Sequence, residues 1–383
     1  MNIGIVCYPT YGGSGVIATE LGKSLAQRGH KIHFITYSQP IRLSSFTQNV
    51  NFHAVQIQDY PLFDYPPYES ALASTMTDVA IYQELDLFHV HYAIPHASAG
   101  VMAREMLKSL GHHVPVITTL HGTDITLVGK NKSMEPVVTY AINQSDGITA
   151  VSGYLRDATY EAFDIKKEIE VIPNFVDTER FSRQDKEHFR KIIAQNNEKI
   201  VLHTSNFRKV KRVEDVIRAF MHIRSEVKSK LLMIGDGPER ATAEATCREL
   251  NLCDDIVFLG TQNPVEELYS IGDLFLMPSA SESFGLSALE AMSCGVPVIS
   301  SNAGGLPEVN KHGETGYVCD IGDVESMGKF GVDILQNAER WETFSRNARE
   351  EAMKYTLDAI VPSYEKYYER VLEEHKTSIP HTP

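Results

Sequence analysis

Two acids, Glu282 and Glu290, stand in the stretch SESFGLSALEAMSCGVPVIS, residues 281–300, around a glycine joint that turns into a helix. Backbone N–H groups near Phe284, Gly285 and Leu286 open that helix, and such a positive helix end suits a phosphate. A carboxylate suits hydroxyl donors instead. An acid on each side of an anion-binding turn therefore asks for a ligand with both groups, and a nucleotide sugar has both. Glu290 lies one helical turn beyond Leu286, about 6 Å along the axis, which matches the reach from a diphosphate to a ribose diol. Glu282 would then face the sugar. Taken singly, Glu282 is as well explained as a capping acid and Glu290 as an exposed helix residue.

Cations and further loops add to this. SNFRKVKR, Ser205 to Arg212, follows a strand and carries Arg208, Lys209, Lys211 and Arg212. Lys209 and Arg212 read as a solvated helix start, whereas Lys211 is well placed to neutralise a pyrophosphate. Near the N-terminus, GGSG at 12–15 continues from Gly13 as GSGVIA and formally matches the dinucleotide-binding G-x-G-x-x-A. That motif also needs an acid at the end of the second strand, and HFITYS at 33–38 has none. The glycine loop thus supports either an unnamed anion at Gly13 or a tight turn. His121, in TTLHGTD, follows another strand, where loops line ligand crevices. His89, His91 and His96 in HVHYAIPHA match no zinc spacing, so no metal site is expected.

Elements must hold these groups in place. Short apolar runs alternate with amphipathic segments, the pattern of parallel sheets covered by helices on both faces. Strands are expected at 2–7, 31–36, 87–91, 114–120, 147–151 and 169–172, and again at 199–204, 230–235, 255–260, 273–278 and 296–300. Ile17, Leu21 and Leu25 mark a buried helix face, and later helices fall near 213–226, 238–250, 264–270 and 286–294. The polar run from Pro173 to Glu198 reads as a linker. The fold class is α/β, with two doubly wound Rossmann-like domains, 1–172 and 173–356, facing across a cleft. The stripe Ile360, Tyr364, Tyr367 and Val371 predicts a closing helix over about 357–376 that packs back on the first domain.

Composition bounds the partners. A chain of 383 residues with formal charge -14 argues against nucleic acid or an anionic membrane as the main partner. Five cysteines without C-x-x-C spacing read as reduced thiols, which favours the cytoplasm. The start lacks a basic leader, and no apolar stretch is long enough to insert stably in a membrane. A homo-oligomer is left open.

With these residues assembled, the chain resembles family 4 of the retaining glycosyltransferases, which are built from two Rossmann domains of the GT-B type. The resemblance spans nearly the whole chain and is most specific from Pro278 to Gly316, with support from IGDGPER, HGTD and GGSG. It implies that the E-x7-E acids Glu282 and Glu290 contact the donor's sugar and ribose. The family's G-R-x4-K pattern is only partly present: Lys211 matches the lysine, while Ser205 and Asn206 replace glycine and arginine. Either Arg208 or Asn206 fills the gap. CYPTYGGSG, HYAIPHA, TTLHGTDIT and SNFRKVKRVEDVIRAF together resemble members of the bacillithiol pathway that join N-acetylglucosamine to L-malate. That implies UDP-N-acetylglucosamine as donor, L-malate as acceptor, retained configuration, and neither metal nor organic cofactor. The implied donor site is Gly13, Asn206, Arg208, Lys211, Glu282, Phe284, Gly285, Leu286 and Glu290, with His121, Lys211 and Glu282 in catalytic roles. A dianionic acceptor calls for hydroxyl, amide and imidazole donors in the first domain, with Ser14, Tyr92, Thr119, His121 and Asn174 as candidates. Rival readings are a lipid acceptor or another sugar donor, a nicotinamide oxidoreductase, and a sensor that binds nucleotide sugars without turnover.

Overall fold

The computed structural model describes residues 1–10, 12–43, 47–57, 65–128 and 131–378. Tyr11, within the N-terminal motif, lies outside them. The chain divides into two units, Met1–Asn174 with Leu357–Pro383, and Phe175–Thr356.

The first unit holds a parallel sheet of β1 (Asn2–Val6), β2 (Lys31–Thr36), β3 (Val50–Ala54), β4 (Leu87–His91), β5 (Val116–Leu120), β6 (Gly147–Ala150) and β7 (Glu170–Val171). Their order is β3-β2-β1-β4-β5-β6-β7. Strands β4, β5 and β6 are buried throughout, as parallel strands covered on both faces must be, and the His and Thr side chains among their apolar residues are buried with them. Strand β3, by contrast, escapes sequence reading: VNFHA is a half-polar, largely exposed edge strand. β1 neighbours both β2 and β4, so the chain reverses its direction of travel there and the loops after β1 and β4 flank the crevice. Helix Leu357–Ser378 belongs to this unit: Tyr364 and Tyr368 are fully buried, and the Tyr367 hydroxyl donates to the Ile148 carbonyl at 3.0 Å and accepts from the Ile148 N–H at 2.6 Å.

The second unit repeats the plan with β8 (Lys199–Thr204), β9 (Ser229–Ile234), β10 (Ile256–Gly260), β11 (Leu274–Met277), β12 (Val298–Ser301) and β13 (Gly316–Cys319). All pairings are parallel, in the order β10-β9-β8-β11-β12-β13. The reversal now falls between β8 and β11. Helix Val213–Glu226 buries Val216, Ile217, Phe220 and Ile223 on one face, the i, i+4 stripe its sequence carries. Each such side chain contributes about 1.5–3 kcal/mol by leaving water.

The expected linker is corrected by this unit. Residues 175–198 are packed on it rather than free: Phe181 is buried, Arg180 pairs with Glu266 at 2.8 Å, and Arg190 pairs with Asp273 at 2.7 Å. Their polarity serves ion pairs to the second unit's own elements. Strand β13 was also unforeseen, because GYVC is too short to stand out from the glycine-rich run around it.

Candidate functional site

In the second unit the two loops at the reversal point, after β8 and after β11, are tied by a hydrogen bond from Ala280 N–H to the Val210 carbonyl at 2.7 Å. Across this tie the Lys211 ammonium and the Glu282 carboxylate form a direct ion pair, with side chains 19% and 12% exposed. Ser279 Oγ donates to the same Glu282 oxygen at 3.2 Å. Two candidates chosen separately for phosphate and sugar are therefore each other's partner. Arg208 and Asn206 are exposed on the same loop; the Arg208 carbonyl accepts from Lys211 N–H at 2.8 Å, while its guanidinium has no ion-pair or hydrogen-bond partner among the described residues. Arg212, by contrast, pairs with Asp215 at 2.5 Å and acts in its own helix start.

Backbone geometry explains the glycines. Gly285 caps helix Leu286–Ser293 at φ +97°, and a Cβ there would come within 2.5 Å of Leu306 Cδ2. Leu286 and the next residues therefore present first-turn N–H groups with no carbonyl of their own helix to meet. Gly305 N–H donates to the Glu282 carbonyl at 2.9 Å, which seats the loop after β12 beneath the turn. The IGDGPER glycines play a similar part. A Cβ on Gly235, at φ +117°, would lie 1.8 Å from the Ser205 carbonyl, and one on Gly237 would lie 2.1 Å from that of Asn206. They let the loop that carries Lys211 lie flat.

Ser205 is held from below. His203 Nδ1 faces the Leu276 carbonyl at 2.9 Å and must donate to it, so Nε2 is an acceptor and takes the Ser205 hydroxyl proton at 2.8 Å. Burial pushes the His203 pKa down to about 4, with nearby Lys211 acting the same way. Glu290 accepts from the Tyr269 hydroxyl at 3.2 Å. The buried phenol's pKa is driven well above 10, first by burial and then by Glu290. Phe284 is buried and packs edge-on to Tyr355, so it contributes its backbone to the turn rather than its ring.

In the first unit Gly13 opens a helix, Gly13–Gln27, whose N-cap Gly12 has no side chain to offer its N–H groups. Ser14 Oγ and the Tyr92 hydroxyl are 2.7 Å apart, which joins the loops after β1 and β4. Gly13 is thus in the first unit, while the other donor candidates lie in the second. His121 follows β5; its Nε2 is 2.8 Å from His91 Nδ1, and its ring is 5.3 Å from that of Tyr92. Enclosure lowers the His121 pKa to about 3, so the ring is neutral near pH 7. Asp124 holds the same corner by accepting from Ala93 N–H at 2.8 Å and Gly122 N–H at 3.0 Å.

Two acceptor candidates stand apart from this group. The Thr119 hydroxyl is fully buried, 2.6 Å from His89 Nε2 and 2.7 Å from Thr149 Oγ1, so the interior network already uses it. Near a strand's end the face decides, and Thr119 faces inward. Asn174, the last residue of its part of the unit, is 7% exposed, and its Oδ1 has no partner among the described residues.

Sequence reasoning missed a set of groups beside Ser14, Tyr92 and His121. The Tyr8 ring lies 4.5 Å from that of His96, and the Tyr68 ring 6.5 Å from it. His96 Nδ1 donates to the His91 carbonyl, which leaves Nε2 a buried lone pair; among the described residues neither it nor the buried Tyr68 hydroxyl has a partner. The only available signal was the density of Tyr and His in CYPTYGG and HVHYAIPH. The three histidines of the second motif turn to different partners, and among the described residues no group of three His, Cys, Asp or Glu is arranged to hold a metal ion.

Comparison with known proteins matches residues 11–180 to the family described as Glycosyltransferase Family 4 and residues 184–351 to that described as Glycosyl transferases group 1. The chain is 45% identical over 378 residues to the N-acetyl-alpha-D-glucosaminyl L-malate synthase of Bacillus anthracis, covering 98% of each. It is 26% identical over 378 residues to an uncharacterized glycosyltransferase of Methanocaldococcus jannaschii, covering 94% of this chain and 95% of the other. Among solved structures it resembles the sucrose-phosphate synthase of Thermosynechococcus elongatus, with a TM-score of 0.81 at 21% identity over 98% of this chain and 100% of that one. Anabaena HepE in complex with UDP and glucose has a TM-score of 0.80 at 20% identity, covering 99% of this chain and 100% of that one.

Proposed function

The chain belongs to family 4 of the glycosyltransferases, and from that premise we propose that it transfers N-acetylglucosamine from UDP-N-acetylglucosamine to the hydroxyl of L-malate, with retained configuration. The observation that carries the choice of substrates is the 45% identity, over 98% of both chains, to a synthase named for that product. The titratable groups support the same assignment. UDP is the leaving group, and as the bond from sugar C1 to the β-phosphate oxygen breaks, negative charge gathers on the diphosphate. Lys211 and the N–H groups from Phe284 to Leu286 stabilise it, with Arg208 supplying the second cation, since Asn206 has none to give. Glu282, released from Lys211 by the incoming diphosphate, accepts from sugar hydroxyls, and Glu290 from the ribose. The acceptor hydroxyl gives its proton to the departing phosphate oxygen.

Malate is held in the first unit by neutral donors: the Gly13 helix N-terminus, Ser14, Tyr92 and the uncharged His121. Tyr68, with a buried hydroxyl that has no partner among the described residues, adds another. We place the reaction in the cytoplasm: among the described residues no helix is long and apolar enough to cross a membrane, and all five cysteines are free.

The test is a mass-spectrometric assay of UDP-N-acetylglucosamine against a panel of small hydroxy acids. N-Acetylglucosaminyl malate and an equal amount of UDP are expected with L-malate, and little with acids lacking its hydroxyl or its second carboxylate. Transfer to a different acid, or UDP binding without any glycosylated product, overturns the proposal.

A further inference from the structure

Cys247 and Cys253 place their sulfurs 3.3 Å apart, on either side of the turn that joins helix Arg240–Glu249 to β10. A disulfide needs about 2.05 Å, so the sulfurs have only roughly 1 Å to close. The turn holds them there: Leu252 N–H donates to the Cys247 carbonyl at 3.0 Å, and Asp255 N–H to the Leu252 carbonyl at 2.9 Å. Cys247 is buried and Cys253 exposed. The three remaining thiols, Cys7, Cys294 and Cys319, are buried, and burial raises them, like Cys247, to about 12, so the exposed Cys253 is the thiol open to attack from solvent. One thiol thus faces solvent, and a second waits behind it.

We propose that Cys247 and Cys253 form a reversible thiol–disulfide pair that reacts with low-molecular-weight disulfides, Cys253 as the entry thiol and Cys247 as the resolving one. In the first step the Cys253 thiolate attacks a disulfide R–S–S–R, forming the Cys253–S–R bond and expelling one thiolate, which takes up the proton that Cys253 lost. In the second, Cys247 attacks Cys253 Sγ, forming the protein disulfide and expelling the second R–S⁻, which takes the proton of Cys247. The two protein thiols are oxidised and one disulfide is reduced to two thiols, so the electrons balance. The product cross-links the C-terminal end of a helix whose N-terminal side is bound to the Lys211 loop through Glu239 N–H and the Phe207 carbonyl at 2.8 Å.

The experiment incubates the reduced, full-length protein with glutathione disulfide, quenches with an alkylating agent and maps tryptic peptides. Arg248 lies between the two cysteines, so trypsin separates them unless they are cross-linked. The wild type is expected to give the Cys247–Cys253 linked peptides, reversed by dithiothreitol. Cys247→Ser, or Cys247→Ala if the serine variant does not fold, is expected to hold glutathione stably on Cys253, and Cys253→Ser to remain unmodified. Persistent glutathione on wild-type Cys253, an unreactive Cys253, or earlier oxidation of Cys7, Cys294 or Cys319 overturns the inference.

Discussion

The ammonium of Lys211 has a partner before any ligand arrives, and that has a measurable consequence. A diphosphate must compete with Glu282 for the cation, and while it does so it lies beside a negative charge. Glu282→Gln removes both penalties without changing the shape of the side chain, so UDP alone is expected to bind several-fold more tightly, while kcat/KM for transfer falls by about 100-fold because the sugar loses a charged acceptor. Lys211→Ala should weaken UDP by about 10- to 100-fold and leave Glu282 half-buried without its cation. Calorimetric titration with UDP and steady-state kinetics separate the two effects; Glu282→Gln binding UDP more weakly than wild type would show that the pair does not compete with the ligand. Sequence placed both residues at strand ends on the ligand side, but their contact spans 71 positions, and no local pattern encodes a partner at that separation.

The loops depend on the elements beneath them, and the Gly235 turn shows how closely. With φ at +117° and the Ser205 carbonyl 1.8 Å from where a Cβ would sit, Gly235→Ala forces the Lys211 loop to move. Gly313 is the control: its φ is +78°, with nothing within 4 Å of an added Cβ. Gly313→Ala is expected to cost about 1 kcal/mol of stability from backbone strain and leave UDP affinity unchanged, whereas Gly235→Ala should cost about 3 kcal/mol and weaken UDP as well. Thermal unfolding and UDP titration of both variants check this, and equal losses would mean that the clash is relieved elsewhere. At this scale the sequence was most informative where burial is two-sided. The inner strands announce themselves as largely apolar runs, and glycines mark where strands turn into helices. It was silent where structure depends on distant neighbours: β3 is an exposed edge, and residues 175–198 look like a linker because their charges are answered by Glu266 and Asp273, far along the chain. The inward face of Thr119 was hidden for the same reason, since His89 and Thr149 come from the adjacent strands β4 and β6.

The two units of the molecule differ in how they bury imidazole, and acid should therefore separate them. In the first unit burial lowers His33 and His96 to about 4 and His89 and His121 to about 3, and takes His91 well below its usual value. The second unit contributes His203, at about 4. An unfolded histidine titrates near 6.5, so between there and about 4 the unfolded chain binds protons that the native state refuses, and stability falls as pH falls through that window. At pH 5 each buried imidazole costs up to about 2 kcal/mol, and three of them approach the roughly 5–15 kcal/mol that holds a domain together. The first unit should therefore unfold at higher pH than the second. The chain's single tryptophan allows a direct reading, because Trp341 lies in the second unit, with its indole N–H donating to the Asp273 carbonyl at 2.7 Å. Far-UV circular dichroism reports both units and tryptophan fluorescence only the second. In an acid titration the circular dichroism should lose a first step near pH 5, before the fluorescence shifts. Coincident transitions at one pH would show that the buried histidines do not set the acid limit, and His89→Gln, which keeps the polar contacts to Thr119 and Tyr368 without a titrating ring, should move the first step to lower pH if they do.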